Sequence, residues 1–271
     1  MNILEKKMVD ALKDLRENHQ VAGIKAEFEA EGTRLEEALR LKDVVSKAGL
    51  DLTIKIGGCE ALKDMYDCRS IGVARIVAPM IESAYALKKY LAATKQVFPA
   101  DEREQISFLI NIETIDGYNS FGKMLQLPEI KQLNGIVLGR VDMTGSLGLT
   151  REDINSPQIY KLMQDLFTQA KKAGLECVVG GGVSGASLPL FRQLPAGLLD
   201  RYETRKVIFQ CPAALNNGAD KGILKAVGFE LMWLKNKRDF YGMIYQEDKV
   251  RIEMLQTRYD KLIKEAGGSY E

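Results

Sequence analysis

The feature that most constrains this chain is an alternation. Short β-branched runs with polar or glycine-rich ends take turns with amphipathic helical stretches. The runs fall at 21–29, 51–58, 72–80, 107–113, 135–142, 175–179 and 205–209. Spacings of roughly 20–35 residues suit βα units. The helical stretches fall at 34–48, 59–71, 82–93, 117–126, 157–173 and 188–194, and a helix over 3–18 precedes the first strand. The stretch 157–173 shows the logic: Ile159, Leu162, Met163, Leu166, Phe167 and Ala170 form one stripe, and Gly174 follows as a C-cap. Seven strands and one weak or missing strand predict an α/β fold, a TIM (β/α)8 barrel or a close variant, with extra N- and C-terminal helices. A chain of 271 residues is the usual size of one such domain. The whole chain therefore reads as a single barrel, with 213–266 as a helical C-terminal extension. A doubly wound open sheet is the alternative, but no GxGxxG follows the first strand. The apolar face of 248–266 either covers the barrel or meets a neighbouring subunit.

Composition excludes several classes. Basic and acidic residues number 38 and 37, so no nucleic-acid partner is announced. No apolar run approaches membrane-spanning length. The N-terminus lacks a signal-peptide core, which makes the cytoplasm the expected location. Cys59, Cys68, Cys177 and Cys211 form no CxxC and read as reduced thiols. His19 is the lone histidine. That rules out multi-histidine metal sites, and His19, just before the first strand, reads as structural or superficial.

In a barrel the C-terminal strand ends gather at one mouth. Glu27 and Glu29 share a strand face, so both are expected to point inward, with Glu31 a solvated loop acid. Thr33 and Glu36 fit a capping box for the next helix. Lys55, inside an apolar strand, needs a carboxylate or an anionic ligand. Asn111 and Glu113 end the fourth run; Gly139, Arg140, Val141 and Asp142 end the fifth. A buried strand-end acid is costly unless paired or bound to a cation. One βα unit separates Glu113 from Asp142, so their strands are expected to be neighbours. Two such carboxylates suit a hard divalent metal, Mg²⁺ or Mn²⁺, with positions left for water and substrate. The loop Gly180, Gly181, Gly182 reads equally as an oxyanion cradle or as a tight turn.

These strand ends also carry a resemblance. Asn111-Ile112-Glu113-Thr114, followed by Gly139-Arg140-Val141-Asp142-Met143-Thr144-Gly145-Ser146-Leu147-Gly148, resembles the "IET" and "GPxDL" strand ends of the HpcH/HpaI aldolase/citrate lyase family. Val77-Ala78-Pro79-Met80-Ile81-Glu82-Ser83 and Glu27-Phe28-Glu29 resemble two further elements of it. The likeness covers roughly 21–150 in order.

The resemblance implies a metal-dependent barrel that makes or breaks carbon–carbon bonds beside a 2-oxo acid, through a metal-bound pyruvate enolate, in a homo-oligomer. It implies Glu113 and Asp142 as metal ligands and Asn111 near the substrate. Lys55 takes the place of an arginine that steadies the enolate. Backbone N–H groups near Arg140, Val141 and Asp142 would hold the carboxylate. Two departures stand out: Ala30 replaces the family's histidine, and Arg140 replaces a proline. Glu29, Glu27, Lys55 or a metal-bound water must then move the proton, and Arg140 offers a fork for a carboxylate or phosphate. Alternatives are a Schiff base on Lys55, a phosphorylated or acyl-CoA substrate, and a non-catalytic binding barrel.

Overall fold

The computed structural model describes residues 1–268, and the chain divides into two compact units, Met1–Glu230 and Leu231–Glu271. The first unit opens with α1 (Ile3–His19) and β1 (Val21–Glu27), then α2 (Leu35–Lys47), β2 (Asp51–Lys55), α3 (Leu62–Ile71), β3 (Arg75–Ala78) and α4 (Ala84–Val97). A short α5 (Ala100–Arg103) precedes β4 (Ser107–Ile112), α6 (Ile115–Met124), β5 (Gly135–Gly139), α7 (Arg140–Ser146) and α8 (Pro157–Lys172). The rest is β6 (Glu176–Gly180), α9 (Leu188–Arg192), β7 (Arg201–Glu203), β8 (Val207–Gln210) and the start of α10 (Ala219–Glu265). The eight strands close into a barrel in chain order.

Most expected elements appear within a few residues of their predicted bounds. The start of α2 is a correction: Glu37, not Glu36, reaches back to the Arg34 N–H (3.3 Å), and the helix begins at Leu35. Glu5 is buried in α1, accepts from the Asn2 N–H (2.8 Å) and is held by Arg40 of α2 (2.6 Å).

The eighth strand is the main departure. β7, only three residues long, is not visible as a run in the sequence, and the expected strand at 205–209 begins at Val207. It runs antiparallel to both β7 and β1, whereas the other neighbours pair parallel. The reason is the connection. A parallel return needs a crossover of a dozen or more residues, and only Thr204, Arg205 and Lys206 separate Glu203 from Val207. The Thr204 N–H donates to the Val207 carbonyl (2.9 Å), and the Val207 N–H donates to Thr204 Oγ1 (3.1 Å), which closes the turn. This reversal carries Arg205 and Lys206 to the C-terminal mouth.

The barrel interior is layered. Glu176 sits between Arg75 (2.6 Å) and Arg201 (2.8 Å) at the N-terminal end. Val77, Leu109, Val137 and Val178 plug the middle. Lys25, Glu27, Lys55, Asn111 and Glu203, all buried, lie above them. Stacked layers of inward side chains are how small barrels fill their centres. Charged groups at depth need partners, and both charged layers supply their own.

The second unit is the distal part of α10, ended by Gly267 (φ 75°), whose N–H bonds the Lys264 carbonyl (3.1 Å). Among the described residues no helix is long and apolar enough to cross a membrane. The four cysteines are free. His19 ends α1 beside Gly222, at the N-terminal end of β1 and away from the mouth.

Candidate functional site

A cavity of about 480 Å³ opens at the C-terminal mouth. Four basic side chains (Lys25, Lys55, Arg151, Arg205) and five acidic ones (Glu27, Glu113, Asp142, Glu203, Glu230) line it. Asn111, Gly139, Val141, Gly180, Gly181 and Gly182 complete the relevant wall. Of the residues singled out in the sequence, only Glu29 and Arg140 are not part of it.

A chain of alternating charges crosses the floor. Glu203 bonds Lys25; Lys25 lies 3.3 Å from Glu27, Glu27 3.7 Å from Lys55, and Lys55 2.7 Å from Glu29. β-Strand geometry explains it. Lys25 and Glu27 alternate onto one face, and the parallel register sets Glu27 opposite Lys55. Burial alone would lower the Lys25 ammonium, but Glu203 and Glu27 win and hold it above its ordinary value. Lys55 is likewise raised: burial opposes, but the bond to Glu29 and the charge of Glu27 prevail. For Glu27 burial pushes up, and the two lysines bring it below the usual range. Glu29 falls just beyond the strand, where the inward alternation stops, and serves as an outer clamp on Lys55. Glu31, expected in solvent, is instead largely buried and bonded by Lys206 and Arg205 (3.3 Å) of the reversed hairpin.

The opposite wall carries the two expected metal ligands. Glu113 follows β4, is 3% exposed, and accepts from the Met80 N–H (2.9 Å) and Asn111 Nδ2 (2.7 Å). Burial pushes its carboxyl above the ordinary value, partly offset by Lys55 and these donors. Asp142 is not on the strand as expected: β5 stops at Gly139, and Asp142 stands in the first turn of α7, exposed to the cavity. Asn111 Oδ1 is buried and has no hydrogen-bond partner. Among the described residues no group of three or more His, Cys, Asp or Glu side chains is arranged to hold a metal. Two carboxylates and one unsatisfied amide oxygen, all hard donors in one cavity, nevertheless fit a divalent cation that keeps its remaining positions for water or substrate.

Gly139 makes this wall possible. A Cβ there would lie 2.6 Å from Glu113 Oε2 and 2.8 Å from Glu113 Cβ. Gly139→Ala is expected to destabilise the protein by about 1–3 kcal/mol, as overpacking does, and to displace Glu113. Calorimetry checks this; an unchanged melting temperature would mean that Glu113 is free to move aside.

Arg140 corrects the sequence reading. Its side chain is fully buried and turned away from the cavity. Nε donates to the Gly180 carbonyl (3.2 Å). Nη1 donates to the Ile154 carbonyl (3.3 Å) and Asn155 Oδ1 (2.7 Å), and Nη2 to the Gly181 carbonyl (2.9 Å) and Ser187 Oγ (3.2 Å). The guanidinium also sits 5.0 Å from the centre of the Phe191 ring. Every donor of the fork is used, so none remains for a substrate. Burial lowers its pKa to about 10, which leaves it protonated at neutral pH. Its task is to position the glycine loop and the turn at Arg151–Asn155. Gly181 (φ 78°) packs so tightly on α7 that a Cβ would lie 2.7 Å from the Arg140 and Val141 nitrogens. Close packing therefore accounts for that glycine, which also lines the cavity.

The sequence reading missed Lys25, Arg151, Glu203, Thr204, Arg205 and Glu230. Lys25 was findable, two residues before Glu27 on the same face. The others depend on the hairpin, on the loop that Arg140 anchors, and on the first turns of α10.

Fold and site together define a closed eight-stranded α/β barrel with a charged, carboxylate-rich cavity at its C-terminal mouth. The chain belongs to the HpcH/HpaI aldolase/citrate lyase family, whose model matches residues 32–181. That match begins after Glu27 and Glu29 and extends through β6. No curated protein sequence matches the chain. Among solved structures it is similar to the citrate synthase SbnG, with 14% identity over 86% of this chain and 90% of that one (TM-score 0.59). It is also similar to an HpcH/HpaI aldolase/citrate lyase family protein from Burkholderia cenocepacia J2315, with 14% identity over 69% and 80% (TM-score 0.57). An HpcH/HpaI aldolase from Desulfitobacterium hafniense DCB-2 gives 12% identity over 69% and 78% (TM-score 0.56). At such identities the structural likeness speaks for the fold.

Proposed function

We propose that this protein is a divalent-metal-dependent carbon–carbon lyase acting on a 2-oxo acid. The observation that carries the reading is the buried Glu113, on a wall shared with Asp142 and the unsatisfied Asn111 Oδ1, facing a protonated Lys55. Glu113 and Asp142 would hold the ion, Mg²⁺ or Mn²⁺ being the best fit to their oxygen donors. Bound there, it supplies Lewis acidity toward the oxygens of the 2-oxo acid.

The chain's own groups account for the remaining chemistry. In aldol cleavage of a 4-hydroxy-2-oxo acid the C3–C4 bond breaks. Its electron pair passes to the developing enolate, and the 4-hydroxyl loses a proton as the aldehyde forms. Glu29 and Glu27 keep Lys55 charged, so its ammonium can stabilise the enolate. Of the carboxylates facing the cavity, Glu27 and Glu203 are bound to lysines. Glu230 makes no ion pair among the described residues, and burial holds its carboxyl above the ordinary value against Lys206 and Arg205. Glu29 is engaged by Lys55 (2.7 Å) and does not line the cavity, so Glu230 is the better placed of the two to accept the proton.

The test is metal-stimulated release of pyruvate from a panel of 4-hydroxy-2-oxo acids. Lys55→Met is expected to lower kcat roughly 10²-fold, the scale of losing one well-aimed charge donor; Glu230→Gln lowers kcat, while Glu29→Gln acts mainly through Lys55. No turnover with Mg²⁺, Mn²⁺ or Co²⁺ across the panel would sink the aldolase reading. A Schiff base on Lys55 is disfavoured because a protonated lysine is a poor nucleophile; borohydride trapping with pyruvate checks this. A second reading, a phosphorylated or acyl-CoA substrate in the same cavity, draws on Arg151, an exposed rim guanidinium without an ion pair among the described residues. A thermal-shift screen with phosphoenolpyruvate, acyl-CoA and sugar phosphates separates the two.

A further inference from the structure

We infer that α10 is one strand of a two-stranded antiparallel coiled coil whose other strand is α10 of a second copy of this chain. The first observation is exposure. Leu231, Leu234, Tyr245, Ile252, Leu255 and Leu262 of this helix are each 50% exposed or more, a larger set of open apolar side chains than a lone helix keeps without a partner.

The second observation is their period. From Leu224 to Leu262 the spacing alternates three, four, three, four without a break, the heptad pattern of a coiled-coil seam. The a positions are Leu224, Leu231, Arg238, Tyr245, Ile252 and Tyr259. The d positions are Val227, Leu234, Tyr241, Asp248, Leu255 and Leu262. All of them fall within α10, and within the second unit the stretch from Leu231 to Leu255 makes a seam of roughly 36 Å at 1.5 Å per residue.

The two charged intruders select the occupant and its direction. Turn a second α10 end for end about Met243, so that each a position meets a d position. Arg238 then faces the partner's Asp248, and Asp248 faces the partner's Arg238. Every other layer is free of formal charge: Leu231 with the partner's Leu255, Leu234 with the partner's Ile252, Tyr241 with the partner's Tyr245. A single register thus satisfies all four kinds of layer with a second copy of the same sequence. A parallel pair would instead stack Arg238 on Arg238 and Asp248 on Asp248.

In the single chain Arg238 leans on its neighbour Asp239 at 2.7 Å, an exposed contact that the partner's carboxylate can replace. The flanks matter less. Ile244 would meet the partner's Ile244 at the centre. Lys237 would lie near the partner's Arg251, but Arg251 is already paired with Glu247 of its own helix (3.0 Å).

Sedimentation velocity on the full-length protein at micromolar concentration tests this, with circular dichroism as a check on folding. Wild type is expected to sediment as a dimer or as a larger assembly with an even number of copies. Arg238→Asp alone and Asp248→Arg alone each set like charges together in the seam and are expected to weaken association at least about tenfold. The double variant Arg238→Asp/Asp248→Arg restores the opposite-charge layers and is expected to dimerise as wild type does. A wild-type monomer or trimer, single variants that associate undiminished, or a double variant that fails to recover would each overturn the proposal. A parallel pair gives the second of these results, because charge reversal leaves its layers like-charged.

Discussion

Glu113→Gln is expected to give a folded barrel that has lost at least about 10³-fold in turnover, the several kcal/mol that metal-assisted charge stabilisation supplies. Its thermal stability should no longer respond to Mn²⁺. Folding should survive because the site accepts an amide. The glutamine carbonyl can take the Met80 N–H bond now made at 2.9 Å. Its NH2 group would oppose Asn111 Nδ2, but the Asn111 amide can turn and offer the oxygen that now has no partner. The electrostatics point the same way. The carboxyl of Glu113 is raised by burial, so the folded state binds its proton more tightly than the unfolded chain does. Without metal, that ionisation removes stability as pH rises above the ordinary carboxylate range, until the folded-state carboxyl is itself ionised. The neutral glutamine does not bear it. Metal-free Glu113→Gln at pH 7 should therefore melt at or above metal-free wild type. The combination of an intact fold with a lost metal response and lost turnover distinguishes a ligand from a structural acid. Retention of the Mn²⁺ shift would remove Glu113 from the metal site.

Arg140→Ala is expected to have the opposite signature. Removing the fork strands the Gly180, Gly181 and Ile154 carbonyls, Asn155 Oδ1 and Ser187 Oγ in a buried space. Breaking such a buried charged network costs about 3–5 kcal/mol, which for a protein of this size lowers the melting temperature on the order of 10 °C. Arg140→Lys should recover little of this, because one ammonium cannot span five acceptors arranged around a planar fork. Activity would fall with stability as the glycine loop and the Arg151 turn lose their anchor. If instead Arg140→Ala melted like wild type and changed only KM, the arginine would be a substrate contact after all, as its place in the sequence suggests.

These two residues show what the sequence reveals and what it hides. Alternating runs and stripes are local patterns, so seven strands and their helices were readable, as were Glu113, Asp142, Asn111 and Lys55 at one mouth. The direction of a side chain at a strand end is not local. Arg140 follows Gly139 where the chain turns from strand into α7, and that turn sends its side chain away from the cavity, toward Gly180, Gly181 and Phe191, while leaving Val141 and Asp142 on the cavity wall. Glu29 was misjudged for a similar reason, since β1 ends at Glu27 and strand alternation no longer applies beyond it. The hairpin was hidden because β7 has three residues, too few to show a period. With it went Glu203, Arg205 and the partner of Glu31. Lys25 was the exception: its pairing with Glu27 follows from strand alternation alone.

On this reading Glu113 and Asp142 together hold a divalent cation at the barrel mouth. The most direct measurement is a crystal structure of the protein soaked with Mn²⁺ and oxalate, with anomalous diffraction used to locate manganese. The prediction is one strong anomalous peak in contact with both carboxylates, with oxalate beside it on the Lys55 side of the cavity. Manganese bound elsewhere, or no peak in the cavity at saturating Mn²⁺, would contradict it.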